Sequence, residues 1–159
     1  MSENNKYYIA YGSNLNVRQM RARCPDAVPY GIADLVDWRL LFRGSKTGAY
    51  LTVERAPGSH VPVAVWRVSE RDELCLDRYE GYPAFYYKAD LELPVESLRT
   101  GKIRKTRAFI YIMHEDRPLG VPSRHYVSTC AEGYRNFGFD INILADAYER
   151  SMEAENEGT

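Results

Sequence analysis

The sequence has few cysteines and no long apolar run. Its three cysteines, Cys24, Cys75 and Cys130, are widely spaced and include no Cys-x-x-Cys pair. An odd, scattered set is typical of reduced thiols and argues against a disulfide framework or a zinc site. No apolar segment approaches the roughly 20 residues of a membrane-spanning helix, and the polar segment Met1–Lys6 lacks the apolar stretch of a signal peptide. We therefore expect a cytoplasmic protein with no membrane partner.

A strong charge imbalance is missing as well. The chain has 21 basic and 22 acidic residues among its 159, which gives a formal net charge of −1. This balance gives no reason to expect nucleic acid as a partner. The length suits a single domain spanning 1–159. Within it we expect a core over about 6–150 and a frayed acidic tail from Glu153.

Several familiar catalytic motifs are also absent. There is no Gly-x-Ser-x-Gly nucleophile elbow, no phosphate-binding loop ending in Gly-Lys-Ser/Thr and no Gly-x-Gly-x-x-Gly fingerprint. The three histidines, His60, His114 and His125, do not have the spacing of metal ligands. No metal centre is predicted from these residues.

Tyrosine, by contrast, is abundant: 13 tyrosines stand beside 5 phenylalanines and 2 tryptophans. A tyrosine that points inward needs a partner for its hydroxyl, so a core rich in tyrosine often surrounds a polar cavity. The alternative is that a β-rich chain collects tyrosines because they favour strands. Composition alone leaves both explanations open.

The middle of the chain has the pattern of strands, and helices are predicted around them. Strand-like runs lie at Val28–Leu35, Trp38–Phe42, Ala49–Val53, Val61–Val68, Phe85–Val95 and Arg104–Met113, with turn-prone segments at Gly44–Gly48 and Ala56–Ser59. Helices are predicted over Val17–Arg23 after a cap at Asn14 or Asn16, over Ser69–Tyr79 with Asp72 completing a capping box, from Pro122-Ser123, and after Asp140. Because βαβ units do not alternate, the pattern favours an α+β fold with a mixed or barrel-like sheet.

The segment Tyr11-Gly12-Ser13-Asn14 joins a predicted strand, Lys6–Tyr11, to a predicted helix. Such a junction leaves backbone N–H groups unpaired and aimed at one point, which suits a carboxylate. Ser13 and Asn14 add side-chain donors. The simpler alternative is a plain turn with an asparagine cap.

Glu80 ends the predicted helix that follows Ser69, with Tyr79 and Tyr82 on either side. A carboxylate at a helix C-terminus meets the negative end of the dipole, and neighbouring aromatic rings reduce its solvation. Both effects raise a carboxyl pKa toward the range useful for general acid and base catalysis. The simpler alternative is a solvated surface glutamate.

These segments together resemble the γ-glutamylcyclotransferase-like family, which includes AIG2-like proteins. The ordered matches are Tyr8–Leu15, Leu76–Pro83, Phe109–Met113 and Pro122–Gly138, and the resemblance spans roughly Tyr7–Phe139. It implies a small mixed β-barrel flanked by helices. It also implies a reaction without a cofactor, in which the α-amine of a γ-glutamyl amide attacks its own γ-carbonyl and releases 5-oxoproline.

The resemblance assigns roles to individual residues. Glu80 becomes the general acid and base of the reaction. The substrate-binding residues that it implies are Tyr11, Gly12, Ser13, Asn14, Leu15, Tyr86, Tyr111 and Tyr126. Tyr86 and Tyr87 lie on opposite faces of a strand, so only one faces the pocket, and we favour Tyr86.

The resemblance leaves the second product and the assembly open. The partner it implies is a small γ-glutamyl substrate, and the leaving group is an amino acid, an amine or part of a biosynthetic intermediate. A non-catalytic γ-glutamyl-binding module is the alternative of another class. Relatives can be dimeric, which leaves a homodimer open, although no interface pattern in the sequence supports one.

Overall fold

The computed structural model describes residues 5–45 and 48–157. In these residues, five strands form a closed barrel in the order β1-β3-β2-β4-β5, together with four α-helices. The strands are β1 (Lys6–Ala10), β2 (Val28–Ser45), β3 (Gly48–Val68), β4 (Tyr86–Ser97) and β5 (Ile103–Met113). The helices are α1 (Val17–Arg23), α2 (Glu70–Glu80), α3 (Arg124–Phe137) and α4 (Ile141–Glu157), with a 3-10 turn at Ser13–Leu15. The predicted α+β fold with a barrel-like sheet is confirmed.

The barrel is mixed, as predicted, because one of its strand pairs is parallel. β1 runs parallel to β5, with Tyr8 opposite Phe109, and antiparallel to β3 on its other side. The remaining pairs are antiparallel. The short strand β1 lies between β3 and β5, so the Tyr11–Asn14 segment that follows it lies at one end of the barrel.

The predicted turn at Ala56–Ser59 is wrong, because β3 continues through it. The four runs expected between Val28 and Val68 form two long strands of 18 and 21 residues. At the bend, Gly58 has φ +86° and donates its N–H to Asp37 Oδ1 at 3.0 Å. The pairing register shifts between Val36 and Trp38. Ala56–Ser59 have no pairing partner in β2, and pairing resumes at His60, so the chain bends at the glycine and the strand continues after it.

The other predicted turn in this region, at Gly44–Gly48, lies only partly in the described structure. Ser45 pairs with Gly48 across its ends. Lys46 and Thr47 lie outside the described residues.

Side-chain caps fix the start of three helices. Asn16, and not Asn14, caps α1 by accepting a hydrogen bond from the N–H of Gln19 at 3.1 Å. Ser69 and Asp72 form the predicted capping box of α2. Ser123 caps α3. These caps satisfy N–H groups that have no partner within the helix.

The structure also shows how far helices α2 and α4 extend. Gly81 ends α2 in the left-handed conformation, with φ 63°, which glycine adopts without steric cost. Helix α4 extends to Glu157, and the fraying expected from Glu153 stays a prediction. None of the helices in the described ranges is long and apolar enough to cross a membrane.

The core fills the barrel and extends beneath the helices. Trp66, Phe42 and Tyr134 are among its largest fully buried side chains. Helix α3 packs closely on the segment after β1: a Cβ added at Gly133 would lie only 2.6 Å from the Cβ of Leu15. This close contact fixes the position of the 3-10 turn relative to α3.

Candidate active site

A cavity of about 340 Å³ opens at the end of the barrel where β1 delivers its loop. Its walls come from β1, β3, β4, β5, α2 and α3 and from the loop after β1. Nine residues were predicted for the site, and eight of them line this cavity: Tyr11, Gly12, Ser13, Asn14, Glu80, Tyr86, Tyr111 and Tyr126. The cavity thus brings together residues as far apart in the sequence as Tyr11 and Tyr126.

Leu15 is the one of the nine predicted site residues that does not line the cavity. Its side chain is fully buried in the core and is not part of the cavity wall. The reason is the close packing against Gly133, which holds Leu15 under the loop. An apolar side chain at this point anchors the loop by burial.

The loop after β1 presents donors to the cavity. Leu15 donates its N–H to the carbonyl of Gly12 at 3.0 Å, which starts the 3-10 turn. The N–H groups of Ser13 and Asn14 lie in the first turn, where no preceding carbonyl of the helix can accept them. A Cβ at Gly12 would lie 3.3 Å from Leu51 and 3.4 Å from the Tyr126 hydroxyl, so the backbone itself forms the wall.

The side chains of Ser13 and Asn14 connect this loop to helix α2. Ser13 Oγ lies 2.8 Å from the hydroxyl of Tyr79. Asn14 is buried and donates its side-chain N–H to the Tyr8 hydroxyl at 2.9 Å. The same amide nitrogen lies 3.5 Å from Glu80 Oε1. The loop and the carboxylate therefore belong to one hydrogen-bonded arrangement.

Glu80 is the half-buried last residue of α2 and faces the cavity. Burial raises the pKa of its carboxyl to about 8, and the nearby charge of Arg23 opposes this rise. Such a group changes protonation near neutral pH, which lets it both accept and return a proton. Among the described residues it has no salt-bridge partner.

Three cavity tyrosines give their hydroxyl protons to the protein. Tyr11 donates to the carbonyl oxygen of Tyr111 at 2.6 Å, and Tyr86 donates to that of Leu51 at 2.7 Å. Tyr111 donates to Asp77 Oδ1 at 2.6 Å. A hydroxyl has one proton, so each oxygen can only accept hydrogen bonds from a molecule in the cavity. Burial raises the pKa values of all three, which keeps them neutral.

Tyr86 and Tyr87 point to opposite sides of β4. Tyr86 lies in the cavity wall. Tyr87 lies outside it, where its hydroxyl contacts Glu115 and its ring lies 5.3 Å from that of His114. Tyr126 reaches the cavity from α3, and its hydroxyl accepts the N–H of Leu51 at 3.1 Å.

The sequence patterns did not identify several residues that lie at the site. Tyr8 and Tyr50 line the cavity, and the abundance of tyrosine was the available signal. Asp77 holds Tyr111 and lies in the same helical segment as Glu80. Arg23 contacts Asn14 and stacks on Tyr79, and no local pattern in the sequence marks it.

The described part of the chain contains no group of three histidine, cysteine or acidic residues arranged to hold a metal ion. His125 is exposed on α3 and does not line the cavity. The cavity wall offers one carboxyl group, tyrosine hydroxyls, backbone donors, the polar side chains of Ser13 and Asn14, and Arg78.

Comparisons with known proteins point to one family. The family model described as "Gamma-glutamyl cyclotransferase, AIG2-like" matches residues 8–128. A Gamma-glutamylcyclotransferase of Bos taurus is 31% identical in an alignment of 144 residues that covers 84% of this chain and 72% of the relative. One of Mus musculus is 30% identical in an alignment of 154 residues that covers 92% of this chain and 77% of the relative.

Solved structures agree with the sequence relatives. A structure of a Gamma-glutamyl cyclotransferase has a TM-score of 0.72 at 26% identity and covers 90% of this chain and 86% of its own. A yeast cyclotransferase specific to glutathione, with a TM-score of 0.57, is 12% identical, covers 94% and 97% of the two chains, and shows the shared fold alone. On the family model and the sequence relatives, the chain belongs to the γ-glutamyl cyclotransferase, AIG2-like family.

Proposed function

We propose that this protein is a γ-glutamyl cyclotransferase in which Glu80 is the general acid and base. The reaction releases 5-oxoproline and a free amine or amino acid. The observation that supports the proposal is that Glu80, with a carboxyl pKa of about 8, and the Gly12–Asn14 segment line one cavity.

The distribution of donors and acceptors supports one orientation of the substrate. The N–H groups of Ser13 and Asn14 suit the α-carboxylate of the γ-glutamyl group. The hydroxyl oxygens of Tyr11, Tyr86 and Tyr111, which can only accept, suit its α-ammonium. Glu80 lines the same cavity, so its carboxylate can meet the α-ammonium there.

Proton transfer through Glu80 then completes the reaction. Ionised Glu80 takes a proton from the α-ammonium, and the free amine attacks the γ-carbonyl carbon to form the ring C–N bond. Glu80 gives this proton to the leaving nitrogen, and the original C–N bond breaks. The second proton of the ring nitrogen passes through Glu80 to the released amine, which leaves as an ammonium group. Because the attack is intramolecular, the cavity mainly holds the folded-back conformer and transfers these protons.

The test is an assay for 5-oxoproline from a panel of γ-glutamyl amino acids and γ-glutamyl amines. We expect the wild type to turn over at least one of them, and Glu80→Gln to lose about 10²-fold or more of kcat. Glu70→Gln is the matched control, because Glu70 is exposed in the first turn of the same helix. Its activity should equal that of the wild type.

Two outcomes would contradict the proposal. Equal kcat in the wild type and Glu80→Gln would remove Glu80 from its role. Binding of a γ-glutamyl compound without any turnover in the wild type would instead favour a non-catalytic binding module. Calorimetric titration of both proteins with the same panel separates these cases.

We also propose a cytoplasmic location. Cys24, Cys75 and Cys130 are all free thiols in the structure, and unpaired cysteines are typical of a reducing compartment. Fractionation of cells that express the tagged chain tests this, and recovery in a secreted or periplasmic fraction would contradict it.

A further inference from the structure

We propose that Arg23 is a positioning residue for Glu80, because it holds the Asn14 side chain with its N–H groups turned toward that carboxylate. This inference rests on the proposed function and adds a residue to it. Arg23 lies in the last turn of α1 and does not line the cavity itself.

The contacts of Arg23 fix its guanidinium group in place. Its Nη1 donates to Asn14 Oδ1, and its Nη2 donates to Gln19 Oε1 at 3.4 Å. The guanidinium carbon lies 3.5 Å from the centroid of the Tyr79 ring, a stacked arrangement that arginine favours. No carboxylate of the described chain forms a salt bridge with it.

These contacts determine which end of the Asn14 amide faces Glu80. A guanidinium group can only donate hydrogen bonds, so the amide must turn its oxygen to Arg23. Its nitrogen is then directed to the Tyr8 hydroxyl at 2.9 Å and to Glu80 Oε1 at 3.5 Å. Without Arg23, the amide could rotate and place its oxygen against the carboxylate, which would disfavour the ionised form.

The positive charge of Arg23 also favours the ionised form of Glu80. Burial raises the pKa of Glu80, and Arg23 is the charge that lowers it. The other titratable or charged groups of the cavity wall are Tyr8, Tyr11, Tyr50, Arg78, Tyr79, Tyr86, Tyr111 and Tyr126. Asp77, one turn before Glu80, is held by Lys88 and by the Tyr111 hydroxyl. Arg23 therefore supplies positive charge to Glu80 from helix α1.

The experiment compares four variants of the full chain with the wild type. Arg23→Met removes both the charge and the donors, Arg23→Gln keeps a neutral donor, and Arg23→Lys keeps the charge with one donor group. Arg21→Met is the matched control, because Arg21 is exposed on the same helix. Thermal melting identifies any variant that does not fold.

The first readout is the pH profile of kcat/KM with a γ-glutamyl substrate. For Arg23→Met we expect the acid limb to move up by about one pH unit, and kcat/KM at pH 7 to fall about tenfold. Arg23→Lys should restore the limb, and Arg21→Met should leave it unchanged. A limb that Arg23→Met does not move, or that Arg21→Met moves equally, would overturn the inference.

The second readout does not depend on turnover. Titration of the Glu80 carboxyl carbon by NMR should give a pKa about one unit higher in Arg23→Met than in the wild type. Equal pKa values would overturn the inference, whatever the activity. A raised pKa together with a wild type that turns over no γ-glutamyl compound would support the role of Arg23 and contradict the proposed function.

Discussion

Glu73, Asp77 and Glu80 follow one another along one face of helix α2, at i, i+4 and i+7. The row has an outer side, away from the cavity, and an inner side at the cavity, and the partners of the carboxylates differ between them. On the outer side, Glu73 contacts the ammonium groups of Lys6 at 2.9 Å and Lys88 at 2.8 Å. Lys88 also contacts Asp77 at 3.0 Å. On the inner side, Glu80 faces a cavity of tyrosines and has no salt bridge within the described residues.

The two sides show what determines the pKa of a half-buried carboxyl group. Burial acts to raise the pKa of both Glu73 and Glu80. At Glu73, hydrogen bonds from Lys88 and Lys6 outweigh burial, and the pKa is lowered. At Glu80 the charge of Arg23, which forms no salt bridge with it, does not outweigh burial, and the pKa rises to about 8. Burial prepares a carboxylate for proton transfer only where no cation contacts it directly.

The largest expected effect is the pH dependence of catalysis. Glu80 must be ionised to accept a proton, so kcat/KM should fall about tenfold per pH unit below pH 8, or roughly 10³-fold by pH 5. The measurement is kcat/KM from pH 5 to 9, with Glu73→Gln as the control that leaves the limb in place. An acid limb near the ordinary pKa of glutamate, 4.5, would remove the contrast between the two sides.

Stability should depend on pH with the matching sign. The folded pKa of Glu80 lies above its unfolded value of 4.5, so the protonated form favours folding. This contribution is complete below pH 4.5 and is lost as the pH rises through about 8. Urea unfolding at pH 5 and pH 9 should therefore show Glu80→Gln gaining stability relative to the wild type at the higher pH. The same difference at both pH values would contradict the raised pKa.

Replacing Lys88 would remove the cation that Glu73 and Asp77 share on the outer side. Lys88→Met leaves Glu73 and Asp77 half-buried with fewer partners, and we expect a loss of about 2 kcal/mol in the free energy of unfolding. Lys105→Met is the control, because Lys105 and Glu92 form an exposed pair with side-chain exposures of 75% and 57%. That change should cost less than about 0.5 kcal/mol. Equal losses in urea unfolding would show that burial of the pair has no consequence.

Asp77 links the two sides, because it contacts Lys88 outside and accepts the proton of Tyr111 inside. In Asp77→Asn the amide can turn its N–H group to Tyr111, so that the hydroxyl proton points into the cavity. We expect about tenfold lower kcat/KM, seen mainly in KM because ammonium binding is weakened. The acid limb should stay near pH 8. A shifted limb would mean that Asp77 acts on Glu80 directly.

The features of α2 that place Glu80 could be predicted from the sequence, because they depend on neighbouring residues. The capping box at Ser69 and Asp72, the end of α2 at Gly81 and the position of Glu80 all follow from neighbouring residues. The fold class also followed from the strand pattern and the lack of βαβ alternation. The family resemblance then suggested the site residues, all of which line the cavity except Leu15, which is buried in the core.

The remaining features depend on contacts between distant segments. Leu15 adjoins the loop motif, but packing against Gly133 of α3 makes it a core residue. Gly58 has the sequence signature of a turn, yet the Asp37 side chain accepts its N–H and β3 continues beyond it. Arg23 meets Asn14 and Tyr79 only because α1 folds back over the loop toward α2. Such pairings are decided by tertiary packing, which no local pattern encodes.

The smallest expected effect concerns the two ends of α2. At its start, Ser69 accepts the N–H of Asp72, and Asp72 accepts the N–H of Ser69, both at 3.1 Å. Ser69→Ala removes this cap and should lower the free energy of unfolding by about 1 kcal/mol, while Ser69→Thr should restore most of it. The cavity lies at the other end of the helix, so kcat/KM should not change. A fall in kcat/KM at full folding would show that the paired start of α2 also positions Glu80.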